Sequence, residues 1–277
     1  MANGAQISPE EHRKQYFDRD SWDRSYGLRF IVGGTAAIPL SAISAAQELG
    51  HRFGCIAAER DLPVGWSVSM TEAPWGIGYD VATTTNKMSN PSCIVVTQET
   101  EPRLFVERLV FRFKESSPDE AKAILREIIE AGQIAAGKRC SGLAVDASNE
   151  RYYAVQIRKE FSKYCRVLLC DSSESIDYKG EKMKVKTYLG QRYVELYEDS
   201  AIAIPADRWI KEDRRLAKKV KGGFDNELDS AGNHGDTFDG GKLAREALSR
   251  NGSGPVYAKA IPIGGSAGMG GRNLIGA

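Results

Sequence analysis

Three histidines in 277 residues leave little room for imidazole chemistry. His12, His51 and His234 are widely spaced, so a His-rich metal site is not expected and a Ser-His-Asp triad has few bases to draw on. Cysteine is scarce as well. The five (Cys55, Cys93, Cys140, Cys165, Cys170) form no C-x-x-C pair and leave an odd count, which excludes a zinc ribbon and speaks against a disulfide framework. Reduced, buried thiols in an intracellular protein are the expectation. No apolar run approaches the roughly 20 residues that span a bilayer, and the first residues lack the apolar core of a signal peptide, so no membrane role is expected. A G-x-x-x-x-G-K-[ST] loop is also missing: Gly264-Gly265-Ser266 is not followed by Lys-Ser/Thr. With 38 Lys+Arg against 37 Asp+Glu, a basic footprint for nucleic acid has to be local rather than global. Hydrophobic content of 42% suffices for a core, and the length suits one large domain or a medium domain with appendages.

Carboxylate chemistry is what remains, and three aspartates stand out. Asp80 ends the run Gly76-Ile77-Gly78-Tyr79, Asp146 closes Gly142-Leu143-Ala144-Val145, and Asp236 follows His234-Gly235 and opens a helix-like stretch through Lys242-Leu243-Ala244. A single aspartate at a strand end is ordinarily a turn former or helix cap. Three at the mouths of buried elements are costly unless their charge is offset, and a divalent cation is the usual offset. Brought together they make a magnesium or manganese site suited to cutting phosphodiesters. In the expected scheme Asp80 bridges two ions about 3.5–4 Å apart, Asp146 holds one and Asp236 the other. One ion activates water and the second stabilises the leaving 3′ oxygen, so no protein nucleophile is needed. Asp239 reads equally as a further ligand or as a solvated carboxylate.

The periodicity places these residues on elements. Strands are expected over 76–85, 91–99 and 104–113, with a turn at 86–90. Ser117-Pro118-Asp119-Glu120 predicts a helix start, with Ser as cap, Pro at the first position and Glu closing a capping box; Gly137 is the expected end. The nearly all-apolar 141–145 reads as a strand buried on both faces. A helix over 149–161 and a strand over 165–170 follow. Three antiparallel strands then parallel ones, flanked by helices, is the mixed α/β, ribonuclease H-like arrangement. Beyond it come a hairpin arm over 178–185, a helix over 189–198, a strand over 202–205, a helix over 207–218 and a last edge strand over 222–229. Residues 1–70 read as a connector with a solvated helix near its start and a helical pattern from Ser41 to Leu49, 71–250 as the main domain, and the glycine-rich 251–277 as a flexible tail.

Local basic clusters supply the footprint that net charge does not. Lys179, Lys182, Lys184, Lys186 and Arg192 lie on and after the arm, and Arg214, Arg215 and Lys218 on the following helix; these are the candidate phosphate contacts.

Gly78-Tyr79-Asp80-Val81-Ala82 with Asn90-Pro91-Ser92 resembles the first nuclease motif of large terminase subunits of tailed bacteriophages, and Ala144-Val145-Asp146-Ala147 the second. Ala203-Ile204-Pro205, a basic helix and His234-Gly235-Asp236-Thr237-Phe238-Asp239 resemble their C-terminal pattern, most closely in the Mu-like branch. The resemblance covers roughly residues 75–249. It implies a ribonuclease H-like endonuclease that cuts double-stranded DNA during viral packaging, with Asp80, Asp146 and Asp236 as metal ligands. It also implies portal protein and small terminase subunit as partners, a packaging ATPase domain outside this chain, and the cytoplasm of the bacterial host as the location. Two competing readings stay open: another ribonuclease H-like enzyme such as a recombinase or resolvase, and a docking module whose acid cluster is silent.

Overall fold

The computed structural model describes residues 8–15, 22, 26, 36–82, 91–101, 103–114, 117–178, 180–220, 223–228 and 235–249. The 86–90 turn, Lys179, His234 and the 251–277 tail lie outside the described residues.

A seven-stranded mixed sheet organises the fold. Its spine is β2 (Trp75–Asp80), β3 (Ser92–Glu101) and β4 (Leu104–Phe113), which run antiparallel in sequence. β5 (Gly142–Asp146) joins β2 in parallel, and β6 (Arg166–Cys170) joins β5 in parallel. The order β4-β3-β2-β5-β6 is therefore three antiparallel strands continued by two parallel ones, as the sequence predicts. The crossovers carry α3 (Pro118–Ala136) and α4 (Arg151–Phe161). α3 begins as its sequence dictates: Ser117 Oγ accepts from the Glu120 N–H at 3.3 Å, Pro118 opens the first turn, and Gly137 ends it with φ 60°.

The sheet is wider than the periodicity foretells. From the stretch read as a connector, α2 (Leu40–Arg52) buries Ile43 and Ala46, and β1 (Ile56–Glu59) pairs in parallel with β4 as the edge strand. Four residues with no clean alternation carry little signal alone; the ladder to β4 makes them a strand. α1 (Pro9–Gln15) buries no residue, as expected of a solvated helix. β9 (Ile202–Ala203) also runs parallel to β4.

Past β6 the chain forms the hairpin β7 (Ser175–Tyr178) and β8 (Glu181–Lys184), then α5 (Val185–Glu198). The helix expected over 207–218 is shorter: α6 covers Arg208–Arg214 and tightens as Leu216 N–H reaches Asp213 O at 3.0 Å. The remainder becomes β10 (Ala217–Val220), paired with β11 (Gly223–Asn226) in a ribbon of its own, so the 222–229 segment is not an edge of the main sheet. α7 (Asp236–Ala247) closes the domain.

Apolar clusters cover both faces of the sheet. Ile77, Tyr79, Ile94, Val96, Leu143 and Val145 pack against α3 and α4. On the other face Val95, Val110, Tyr193, Phe238 and Ala244 join α2, α5 and α7.

Candidate metal centre

The strand period of two sorts β2 and β5 so that their acids share a face. Ile77 and Tyr79 point into the α3–α4 core, which sends Gly76, Gly78 and Asp80 to the opposite face; Leu143 and Val145 likewise send Gly142, Ala144 and Asp146 there. Small residues on that face let α7 lie unusually close. A Cβ on Gly78 would stand 2.1 Å from the Gly240 carbonyl oxygen, and one on Gly76 would stand 3.0 Å from Ala247 Cβ. The neighbours change from Ala247 back to Gly240 as β2 advances, so α7 runs antiparallel to β2 and delivers its N-terminal turn to Asp80. Gly235, in the left-handed region at φ 70°, turns the chain into that helix.

Asp80, Asp146, Asp236 and Asp239 thereby line one basin of about 540 Å³, together with Ser148, Asn226, Lys186 and Lys242. Burial pushes the Asp80 carboxyl well above its ordinary range, and the charges of Asp239, Asp146 and Asp236 push it further; Lys242 pulls the other way. Burial by itself would lower the Lys242 ammonium, but Asp239, Asp146 and Asp80 outweigh it and hold the group above its usual value. Lys242 Nζ bonds Asp239 Oδ1, and Asn226 Nδ2 donates to Asp239 Oδ2 at 2.9 Å. Asp146 Oδ1 accepts from the Ser148 N–H at 2.8 Å and its hydroxyl at 2.5 Å, a local turn that fixes the carboxylate. Asp236 is 1% exposed.

Hard oxygen donors around a basin in which three carboxylates raise the proton affinity of a fourth, Asp80, fit a divalent cation in kind. Among the described residues, no three His, Cys, Asp or Glu side chains stand as a ready-made ligand set. Lys242 serves instead as the buried counter-charge of Asp239, Asp146 and Asp80.

No family model and no curated protein matches this chain. Solved structures are similar at low identity. The large terminase nuclease of the thermophilic phage G20c is 14% identical, with a TM-score of 0.46, 74% of this chain covered and 97% of that one. The nuclease domain of the large terminase subunit gp2 of bacterial virus Sf6 is 9% identical, with a TM-score of 0.47 and coverage of 78% and 99%. The HK97 bacteriophage large terminase is 10% identical, with a TM-score of 0.49 over 88% of this chain and 51% of that one.

The basic residues are placed less uniformly than the acids. Lys182 and Lys184 are exposed on the β7–β8 hairpin, and Lys184 Nζ donates to Ser173 O at 2.6 Å. Lys186 is on the rim of the acid basin, 3.3 Å from Asp225 Oδ1. Arg215 is exposed, and Lys218 pairs with Glu227 at 3.3 Å. Arg192 faces Tyr178 and Tyr188 and lines a separate cavity with Arg245 and Phe105. Arg214 departs from its expected role. Its side chain is 0% exposed, bonded to Glu107 at 2.8 Å and to Tyr193, so it has no surface to offer a phosphate. A basic pattern on a helix cannot distinguish a solvated guanidinium from one drawn inward by a buried acid on a distant strand. Sequence reasoning missed Lys242, Asn226 and Ser148 for a related reason. Only the Asp239/Lys242 spacing of three, which puts both on one helix face, carried a signal.

Proposed function

We propose that this chain is a metal-dependent endonuclease that cuts double-stranded DNA as a viral genome is packaged. The observation that supports it most is the convergence of Asp80, Asp146, Asp236 and Asp239, from two strands and a helix, on a single basin. Asp80, Asp146 and Asp236 would hold two Mg²⁺ or Mn²⁺ ions, with Asp239 in reach as a further ligand. Bound there, such ions supply an activated water and charge stabilisation for the leaving 3′ oxygen. The chain's own part is to present ionised carboxylates. Asp80 surrenders a proton that burial and its neighbours favour, Asp146 is held by Ser148, and Asp239 is held by Asn226 and Lys242. Lys182, Lys184 and Lys186 would meet the DNA backbone beside the basin, with Arg192, Arg215 and Lys218 as outer contacts, and such contacts carry little sequence preference.

The motif resemblance supports a large terminase subunit of the Mu-like branch as the setting for this activity. Its packaging ATPase domain would lie outside this chain, portal protein and small subunit would be its partners, and it would work in the cytoplasm of the bacterial host. No helix among the described residues is long and apolar enough to cross a membrane.

Plasmid cleavage tests the proposal. Supercoiled DNA with Mn²⁺ or Mg²⁺ should become nicked, then linear, then a smear, and EDTA should stop it. Asp80→Asn, Asp146→Asn and Asp236→Asn should each abolish cutting in folded protein. Wild-type rates in any one of them would remove that residue from the site, and intact plasmid at high protein and metal would sink the proposal.

A further inference from the structure

Asp236 and Asp239 reach the basin only if the first turn of α7 is held against the end of β2. The element that holds it is α6. Asp213 is 4% exposed, and its Oδ2 accepts from the Thr237 backbone N–H at 2.9 Å and from the Thr237 hydroxyl at 2.5 Å. The carboxylate thus satisfies a donor at the open end of α7 from another helix, a cap supplied in trans. Its charge also suits that end of the helix dipole.

Asp213 is itself anchored. Its Oδ1 lies 3.7 Å from Arg112 Nη1, and Arg112 is clamped by Glu59 at 2.5 Å while its guanidinium stacks 4.6 Å from the Trp209 ring centroid. The next residue, Arg214, is tied to Glu107 of β4 and to Tyr193 of α5. The end of α6 is therefore fixed to β4 on two sides. On the opposite side of the turn, Asn226 of β11 holds Asp239.

We infer that Asp213 is a positioning residue for metal binding: through Thr237 it sets the first turn of α7, and with it the carboxylates of Asp236 and Asp239. This rests on the metal-site reading above. Groups that hold ligands in place, without touching the ion, commonly change affinity by roughly 10–100-fold when removed.

The test is calorimetric titration of the full chain with Mn²⁺ and no DNA, on wild type, Asp213→Ala, Asp213→Asn and Thr237→Val. Asp213→Ala should weaken Mn²⁺ binding by about 10–100-fold. Thr237→Val, which keeps the backbone donor and removes the hydroxyl, should fall between it and wild type. Asp213→Asn should recover most of the loss, because its amide oxygen still accepts from the Thr237 N–H. Cleavage by the same variants should fall in kcat with KM for DNA little changed. Should Asp213→Ala fail to fold, the other two variants decide the matter. A change confined to melting temperature, with Mn²⁺ affinity within about twofold of wild type in the folded variants, would overturn the inference while leaving the metal site standing. A wild-type protein that binds no Mn²⁺ would overturn both.

Discussion

At the residue scale the centre is defined by charges that do not want to be together. Asp80 is half-buried beside three other carboxylates with Lys242 as the opposing charge, so its native form keeps its proton to higher pH than the unfolded chain does. Above the unfolded value of about 3.9, the unfolded state binds fewer protons than the native one, and stability falls as pH rises toward the native pKa. Asp80→Asn has no proton to lose. In EDTA it should therefore melt higher than wild type at neutral pH, and the advantage should shrink to nothing as pH falls below about 4. Thermal melts from about pH 3.5 to 8 check this. A difference that is constant with pH would mean the carboxylate is not strained by its neighbours. Restoring Mn²⁺ should reverse the order, since only wild type gains from the ion.

At the element scale the decisive packing is that of α7 on β2. A helix normally stands off a sheet by the thickness of two side-chain layers, and here Gly76, Gly78 and Gly142 remove one of them. Gly78→Ala would drive a methyl into the Gly240 carbonyl oxygen and the Ala244 nitrogen, both backbone atoms that cannot swing aside. Overpacking of this kind costs about 1–3 kcal/mol. The larger expected effect is on function, because α7 must lift away from Asp80 and take Asp236 and Asp239 with it. Gly78→Ala should remain folded by circular dichroism, lose stability in urea and lose most Mn²⁺ affinity. Near-normal metal binding would show that the site tolerates a displaced helix.

At the scale of the whole molecule, a chain with net charge +1 offers a polyanion only local arrangements of charge, and the proposed DNA contacts are of that kind. The β7–β8 hairpin carries Lys182 and Lys184 outward, and Lys186 continues the row to the basin rim. Replacing all three with Ala should weaken DNA binding on every sequence alike. It should also reduce the salt slope by about 0.9 for each phosphate that is no longer neutralised, or roughly 2–3 in total. Mn²⁺ affinity measured without DNA should hold, because Asp239, Asp146 and Asp80 keep Lys242 as their counter-charge. An unchanged salt slope would shift the DNA-binding surface to Arg215 and Lys218.

Much of this architecture is legible in the chain alone, because the signals are short-range. The capped start of α3, the alternation of β2 to β4 and the largely apolar β5 and β6 are local patterns, and with them come Asp80 and Asp146 at adjacent strand ends and Asp236 at a helix start. What the sequence by itself determined is which residues sit on which face of which element, since backbone periods of two and about 3.6 depend only on neighbours along the chain. Tertiary structure decided the rest. β1 is a strand because β4 offers it a ladder. Arg214 is buried because Glu107, far earlier in the chain, lies opposite it. Asp213 and Asn226 grip the turn that carries Asp236 and Asp239 because α6 and β11 are folded onto it. Such pairings join positions whose separation along the chain has no period, and only packing brings them within a hydrogen bond of one another.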